Sequence, residues 1–201
     1  MKRVFFHELG HFVAHELNKR YYKGTGTKSI EIFPTEVDKN LFQGDAKVVC
    51  TADEKERDVP NIEMLPEVLA AATYGCIFQA YYKKEDSFDD CFAKNGTEDT
   101  TLWKEAMRNF RIDDFRNEIL ADEREFYKSL WSKKELEDFI KLDQENYLTE
   151  HGTENYYVDI DKLRTDTEAF VTNHRKAYDA LIQKYQAYID KHYKAQTPNI
   201  V

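Results

Sequence analysis

The longest apolar stretch of the chain, Val68 to Tyr82, sets the strongest limit on what it can fold into. It is interrupted by Gly75 and Gln79, and it falls short of the roughly eighteen apolar residues that a membrane-crossing helix needs. Pro66 is well placed as the first residue of a helix running to about Tyr82. Such a helix has to be buried by other elements. Only 7 glycines and 4 prolines occur in 201 residues, with 41% hydrophobic and 33% charged residues, so a compact and largely helical protein is expected.

Those other elements can be read in order. Lys2 to about Tyr21 carries apolar positions at Val4, Phe5, Phe12, Val13 and Leu17 and stops at Lys23-Gly24-Thr25-Gly26, which reads as one helix. Ser29–Pro34 and Ala46–Cys50 alternate and are rich in β-branched residues, as short strands are. Charged residues 53–58 and Pro60 read as a loop. A polar stretch from Lys83 to Gly96 leads to a helix from Thr97 or Glu98 that includes Leu102, Trp103, Met107 and Phe110, with more helix from Asp113 to Leu130. Ser132 and Glu135 form a capping-box pattern that predicts another helix to Tyr147, interrupted at His151-Gly152. From Ile160 to Tyr193 the apolar positions share one face of a long amphipathic helix. The expected fold is α+β, mostly α, with a core over residues 1–130, a small sheet of short strands, and a helical C-terminal extension over 131–201.

Charge narrows the partners. With 29 basic and 38 acidic residues the net charge is −9, so nucleic-acid phosphates and anionic membranes should be repelled. Cys50, Cys76 and Cys91 are odd in number and lack CxxC spacing, which predicts reduced, small apolar residues. Met1-Lys2-Arg3-Val4-Phe5-Phe6 reaches His7 and Glu8 before a signal-peptide core can form, so the expected location is cytoplasmic.

The chemistry concentrates in His7-Glu8-Leu9-Gly10-His11. Residues four apart share a helix face, so His7 and His11 can direct two imidazoles at one zinc ion. Glu8, rotated by about 100°, can instead reach the water that zinc activates and act as general base. Gly10 costs roughly 1 kcal/mol against Ala inside a helix, which makes sense if another backbone passes close by. His15 continues the series but lies about 12 Å from His7 along the axis, too far to share an ion, and reads as a packing residue. His151, His174 and His192 read as surface or interhelical residues.

Phe6-His7-Glu8-Leu9-Gly10-His11-Phe12-Val13-Ala14, followed by Ile32-Phe33-Pro34, resembles the peptidase domain of FtsH-type zinc metalloproteases, over roughly residues 4–110. Ala71–Gln79 occupies the place of that family's apolar Gly-Arg-Ala-Ala-Glu helix, and Gly96-Thr97-Glu98-Asp99 that of the segment bearing its aspartate ligand. The resemblance implies a zincin-like helical core with Asp99 as third zinc ligand, with Glu98, Asp90 and Asp89 as the other candidates. Gln79 stands where the family has Glu, and Asp99 follows Gly96 by three residues where the family usually has four. No Walker A sequence is present, because Gly24-Thr25-Gly26-Thr27-Lys28-Ser29 lacks the Gly before Lys.

The expected activity is therefore zinc-dependent hydrolysis of peptides or unfolded proteins, with the substrate extended alongside an edge strand near residues 29–34. One rival is the repressor-cleaving class of HELGH metallopeptidases, whose third ligand is usually Glu. Another is a non-catalytic zincin-like scaffold whose C-terminal helix binds a protein partner or a second copy.

Overall fold

Helix α2 (Leu65–Lys83) is buried at every position from Leu69 to Tyr81. In this computed structural model, which describes residues 1–36, 38, 40–48, 62–151 and 155–196, the other elements are arranged to cover it. Helix α1 (Lys2–Tyr21) lies against it, and α3 (Thr97–Asn109), α4 (Arg116–Lys133) and the long α5 (Ile160–Gln196) also pack on it. The fold is α+β and mostly α. The loop expected over 53–58 and Pro60, the Cys50 end of the second strand, Gly152 and the side chain of His151 lie outside the described residues. Among the described residues no helix is long and apolar enough to cross a membrane.

One antiparallel sheet has the order β2-β1-β4-β3, from β1 (Thr27–Pro34), β2 (Phe42–Val48), β3 (Leu148–His151) and β4 (Asn155–Val158). Segment 131–201 thus supplies two strands as well as a helix, and Glu31 and Ile32 of β1 pair with Tyr157 and Tyr156 of β4. This corrects the expectation that a substrate could lie along 29–34. Among the described residues the edge on that side of the sheet belongs to β2, because β1 is paired on both flanks.

A second correction concerns Ser132 and Glu135. Ser132 sits in the last turn of α4, where its hydroxyl donates to the Ser129 carbonyl, 3.1 Å away. Lys134, at φ 49°, ends that helix, with Lys134 N–H donating to Trp131 O and Glu135 N–H to Leu130 O. The pair therefore closes a helix with a Schellman motif instead of opening one. Glu135 is free to face His174, whose Nδ1 is 2.7 Å from Glu135 Oε1 and whose Nε2 is 2.9 Å from the Tyr74 hydroxyl. His174 is an interhelical residue, as expected.

Buried polar ties fix the helices around α2. Glu16 of α1 is paired with Arg164 of α5 at 3.1 Å, and Arg164 also donates to Thr27 O at the start of β1. Glu123 of α4 is fully buried, and its Oε1 accepts from Thr73 of α2, Trp103 of α3 and Tyr185 of α5 at 3.1, 3.0 and 2.6 Å. Its Oε2 has no hydrogen-bond partner among the described residues. Burial outweighs the three donors and pushes the Glu123 carboxyl up to about 7.

That shift has a definite sign. Between the unfolded carboxylate range and about pH 7 the folded chain holds a proton that the unfolded chain has lost, so this group's contribution to stability falls as pH rises through that window. In Glu123→Gln the three donors keep their acceptor and the titration disappears. From about pH 5 to about pH 8 the variant should therefore gain roughly 2 kcal/mol on the parent. Urea unfolding at both pH values checks this, and a constant difference between the two proteins would refute it.

Candidate metal centre

Helix α1 presents His7 and His11 on the face that meets α2, and the first turn of α3 brings Asp99 to the same point from 92 residues away. His7 Nε2 is 2.9 Å from Asp99 Oδ2, His11 Nε2 is 3.3 Å from Asp99 Oδ1, and the two Nε2 atoms are 3.1 Å apart. Two ligands on a tetrahedral zinc at ordinary bond lengths stand about 3.3 Å apart. The two imidazole nitrogens and the Asp99 carboxylate group thus form a triangle of the size that one small metal ion requires. The buried His7, His11 and Asp99 group could hold a metal.

Local structure orients these ligands. His11 Nδ1 lies 2.8 Å from the carbonyl of Ala71, an acceptor that needs N–H on Nδ1 and so leaves the Nε2 lone pair for the site. The approach is open because residue 75 has no side chain: a Cβ on Gly75 would lie 2.5 Å from His11 Nε2 and 2.9 Å from His7 Cε1. Gly10 does the same for the helices themselves, since a Cβ there would lie 2.2 Å from the Tyr74 carbonyl oxygen. The backbone inferred to pass Gly10 is that of α2. Gly75 was missed in the sequence, although the cost of a glycine within an apolar helix marks it by the same reasoning.

Glu8 is 4% exposed and lies beneath β2, where a Cβ on Gly44 would be 2.5 Å from its carboxylate. Burial raises its proton affinity, and the positive character of His11 and His7 opposes that rise. Burial likewise favours the neutral forms of the ligands, but the hydrogen bonds of Asp99 and Cys91 and the charge of Glu8 hold His7 up at about 10. Asp99 is held below the ordinary carboxylate range by His11 and His7 despite its burial, and His11 is raised mainly by Asp99 against its own burial. The two imidazoles and two carboxylates together favour positive charge at their centre, which protons or a metal ion can supply. A bound metal must displace those protons.

The other carboxylates considered as ligands do not join the triangle, although Glu98 lines the cavity over it. Asp89 accepts from Arg124 Nε at 2.9 Å, Asp90 pairs with Lys94 at 3.0 Å, and Glu98 is exposed. His15 lines the same cavity but does not join the triangle, and burial followed by the charge of His11 lowers it to about 4. His192 stacks edge-on against Tyr193, with ring centroids 5.0 Å apart.

The cavity over the triangle measures about 600 Å³ and is bounded by α1, β2, α2 and the start of α3. Gln79 lines it, buried, with its Nε2 lacking a hydrogen-bond partner among the described residues. Behind His7 stand Cys76 and Cys91, and these two with His7 make a second group of potential ligands. Their sulfurs are 2.8 Å apart, whereas two thiolates on one zinc stand about 3.8 Å apart, so the geometry favours the histidine and aspartate set.

Comparison with family models, curated proteins and solved structures found no match to the chain.

Proposed function

We propose that the protein is a zinc metallopeptidase that hydrolyses peptide bonds in peptides or unfolded proteins. The observation that carries this reading is the convergence of His7, His11 and Asp99 with Glu8 beside them and a cavity above. Zinc is the choice because two imidazoles and one carboxylate are its usual catalytic set, with one position kept open. When bound, the ion would act as Lewis acid toward water and the scissile carbonyl.

The chain's own residues account for the rest. The Ala71 carbonyl fixes the His11 tautomer, and Asp99 brings negative charge to both imidazoles. Glu8 takes the proton of the attacking water and passes it to the leaving amine. The edge of β2 that has no strand partner among the described residues runs along the cavity through Gln43, Gly44 and Asp45, a place where an extended peptide could add as a further strand. A carboxylate from Asp, not Glu, beside the histidines favours the FtsH-type likeness over the repressor-cleaving class. Glu8 favours an enzyme over a scaffold, because a purely structural ion needs no base.

The purified chain should bind about one zinc ion, cleave an unfolded protein, lose that activity to 1,10-phenanthroline and regain it with added zinc. Loss of groups that merely support metal ligands costs about 10–100-fold in affinity, so Asp99→Asn should exceed about 100-fold. A competition titration with a coloured chelator measures it. Cleavage indifferent to chelation, or zinc binding unaltered in Asp99→Asn, would overturn the reading.

A further inference from the structure

Cys76 and Cys91 are both fully buried and both free, yet their sulfurs lie 2.8 Å apart. Cys76 belongs to α2, and Cys91 opens a π-helical turn, Cys91–Asn95, that leads directly into α3. The separation is too short for two zinc thiolates and needs only about 0.8 Å of closure to reach a disulfide bond length. We propose that Cys76 and Cys91 are a reversible disulfide site, and that forming the bond loosens the neighbouring metal centre.

Two contacts connect the thiol pair to the ligands. Cys91 Sγ is 4.0 Å from His7 Nδ1, the ring nitrogen opposite the one that meets Asp99. The acceptor on the far nitrogen of a ligating histidine sets its orientation and basicity, and a disulfide sulfur is a weaker acceptor than a thiol or thiolate. The second link is Gly96. A Cβ there would stand 2.6 Å from Cys76 Sγ and 3.0 Å from Asp99 Oδ2, and Gly96 N–H donates to Cys91 O at 2.8 Å. Movement of Cys91 towards Cys76 is therefore delivered to the turn that carries Asp99.

Hydrogen peroxide is a sufficient oxidant, and the cavity-lining residues His7 and Gly96 are what separates the buried sulfurs from the cavity. One thiol reduces the O–O bond, giving a sulfenic acid and water. The second thiol displaces that hydroxyl as a second water and closes the S–S bond. Both sulfurs are oxidised by one electron each and one peroxide is consumed. Dithiothreitol reverses the change by thiol exchange.

The effect on the ion rests on the metallopeptidase reading, whereas the crosslink does not. The full chain, stripped of metal, is treated with peroxide, denatured in iodoacetamide, digested and mapped by mass spectrometry. The expected product is a linked pair of peptides bearing Cys76 and Cys91 that dithiothreitol separates. Cobalt(II) titration followed by its visible absorption should then show affinity about tenfold weaker in the oxidised than in the reduced chain. Cys91→Ala, or Cys76→Ala if the first does not fold, should abolish both the link and the effect of peroxide.

Recovery of the two cysteines singly alkylated, or linked to Cys50 instead, would overturn the proposal. So would a Cys76–Cys91 link that leaves the cobalt titration unchanged. A reduced chain that binds no cobalt would remove the coupling together with the metal reading, and the mapped link would show that the two failures are separate.

Discussion

Replacing Glu8 by Gln is expected to lower the rate of peptide cleavage by about a thousandfold while zinc stays bound, because a positioned general base contributes roughly 10²–10⁴. The substitution keeps the shape of a side chain that is 4% exposed and enclosed by β2 at Gly44. It removes only the capacity to accept a proton. The fall should appear in kcat with KM little altered, since Glu8 is assigned to a proton transfer and not to holding the peptide.

Stability makes the same experiment more informative. Burial opposes the charge on Glu8, so a neutral amide there relieves a desolvation cost and the variant should unfold at the same temperature or slightly higher. An inactive protein that has also lost its zinc would point to a structural part for Glu8. Parent-level cleavage in a zinc-bearing variant would remove the catalytic assignment altogether. Plasma emission for zinc, steady-state cleavage of a labelled unfolded protein and thermal unfolding together separate these results.

What could be read in advance followed the range of the interactions. Helix α5 was legible because its apolar positions repeat within the helix itself, and α1 because its helix-forming run is closed by Gly24 and Gly26, while the four-residue spacing of His7 and His11 survives into the folded site unchanged. Asp99 is different. Nothing in local spacing places a residue 92 positions away against His7, and it was singled out through a family likeness together with its place at the start of a predicted helix.

Strands β3 and β4 are four residues each, too short for alternation to stand out, and the partner of β4 in β1 lies more than a hundred residues earlier. For the same reason β1 was taken for an edge. Ser132 and Glu135 carried a true local signal with the wrong sense, because the spacing of a capping box does not say on which side the helix lies. The meeting of Cys76 and Cys91 depends on a π-helical turn that no sequence pattern announced.

Gly10→Ala is expected to be the most damaging single methyl group in the chain. In an exposed helix this change would stabilise by roughly 1 kcal/mol, since Ala is the better helix former. Here the added Cβ would lie 2.2 Å from Tyr74 O, 2.7 Å from Tyr74 C and 2.9 Å from Gly75 Cα. These are backbone atoms of a buried helix, so no rotamer change relieves the overlap, and α1 and α2 must separate along a contact where the fully buried Phe6 ring stacks on Tyr82. Overpacking of this kind costs about 3 kcal/mol or more, which for a chain of this length lowers Tm by roughly 6–12 °C. The measurement belongs on metal-free protein, because a lost ion would lower Tm by linkage alone. In the same variant His11 moves away from the Ala71 carbonyl that fixes its tautomer, so zinc affinity falls with stability. A Tm equal to or above the parent's would mean that the two helices do not cross at glycine distance, and the placement of both histidines would fall with that crossing.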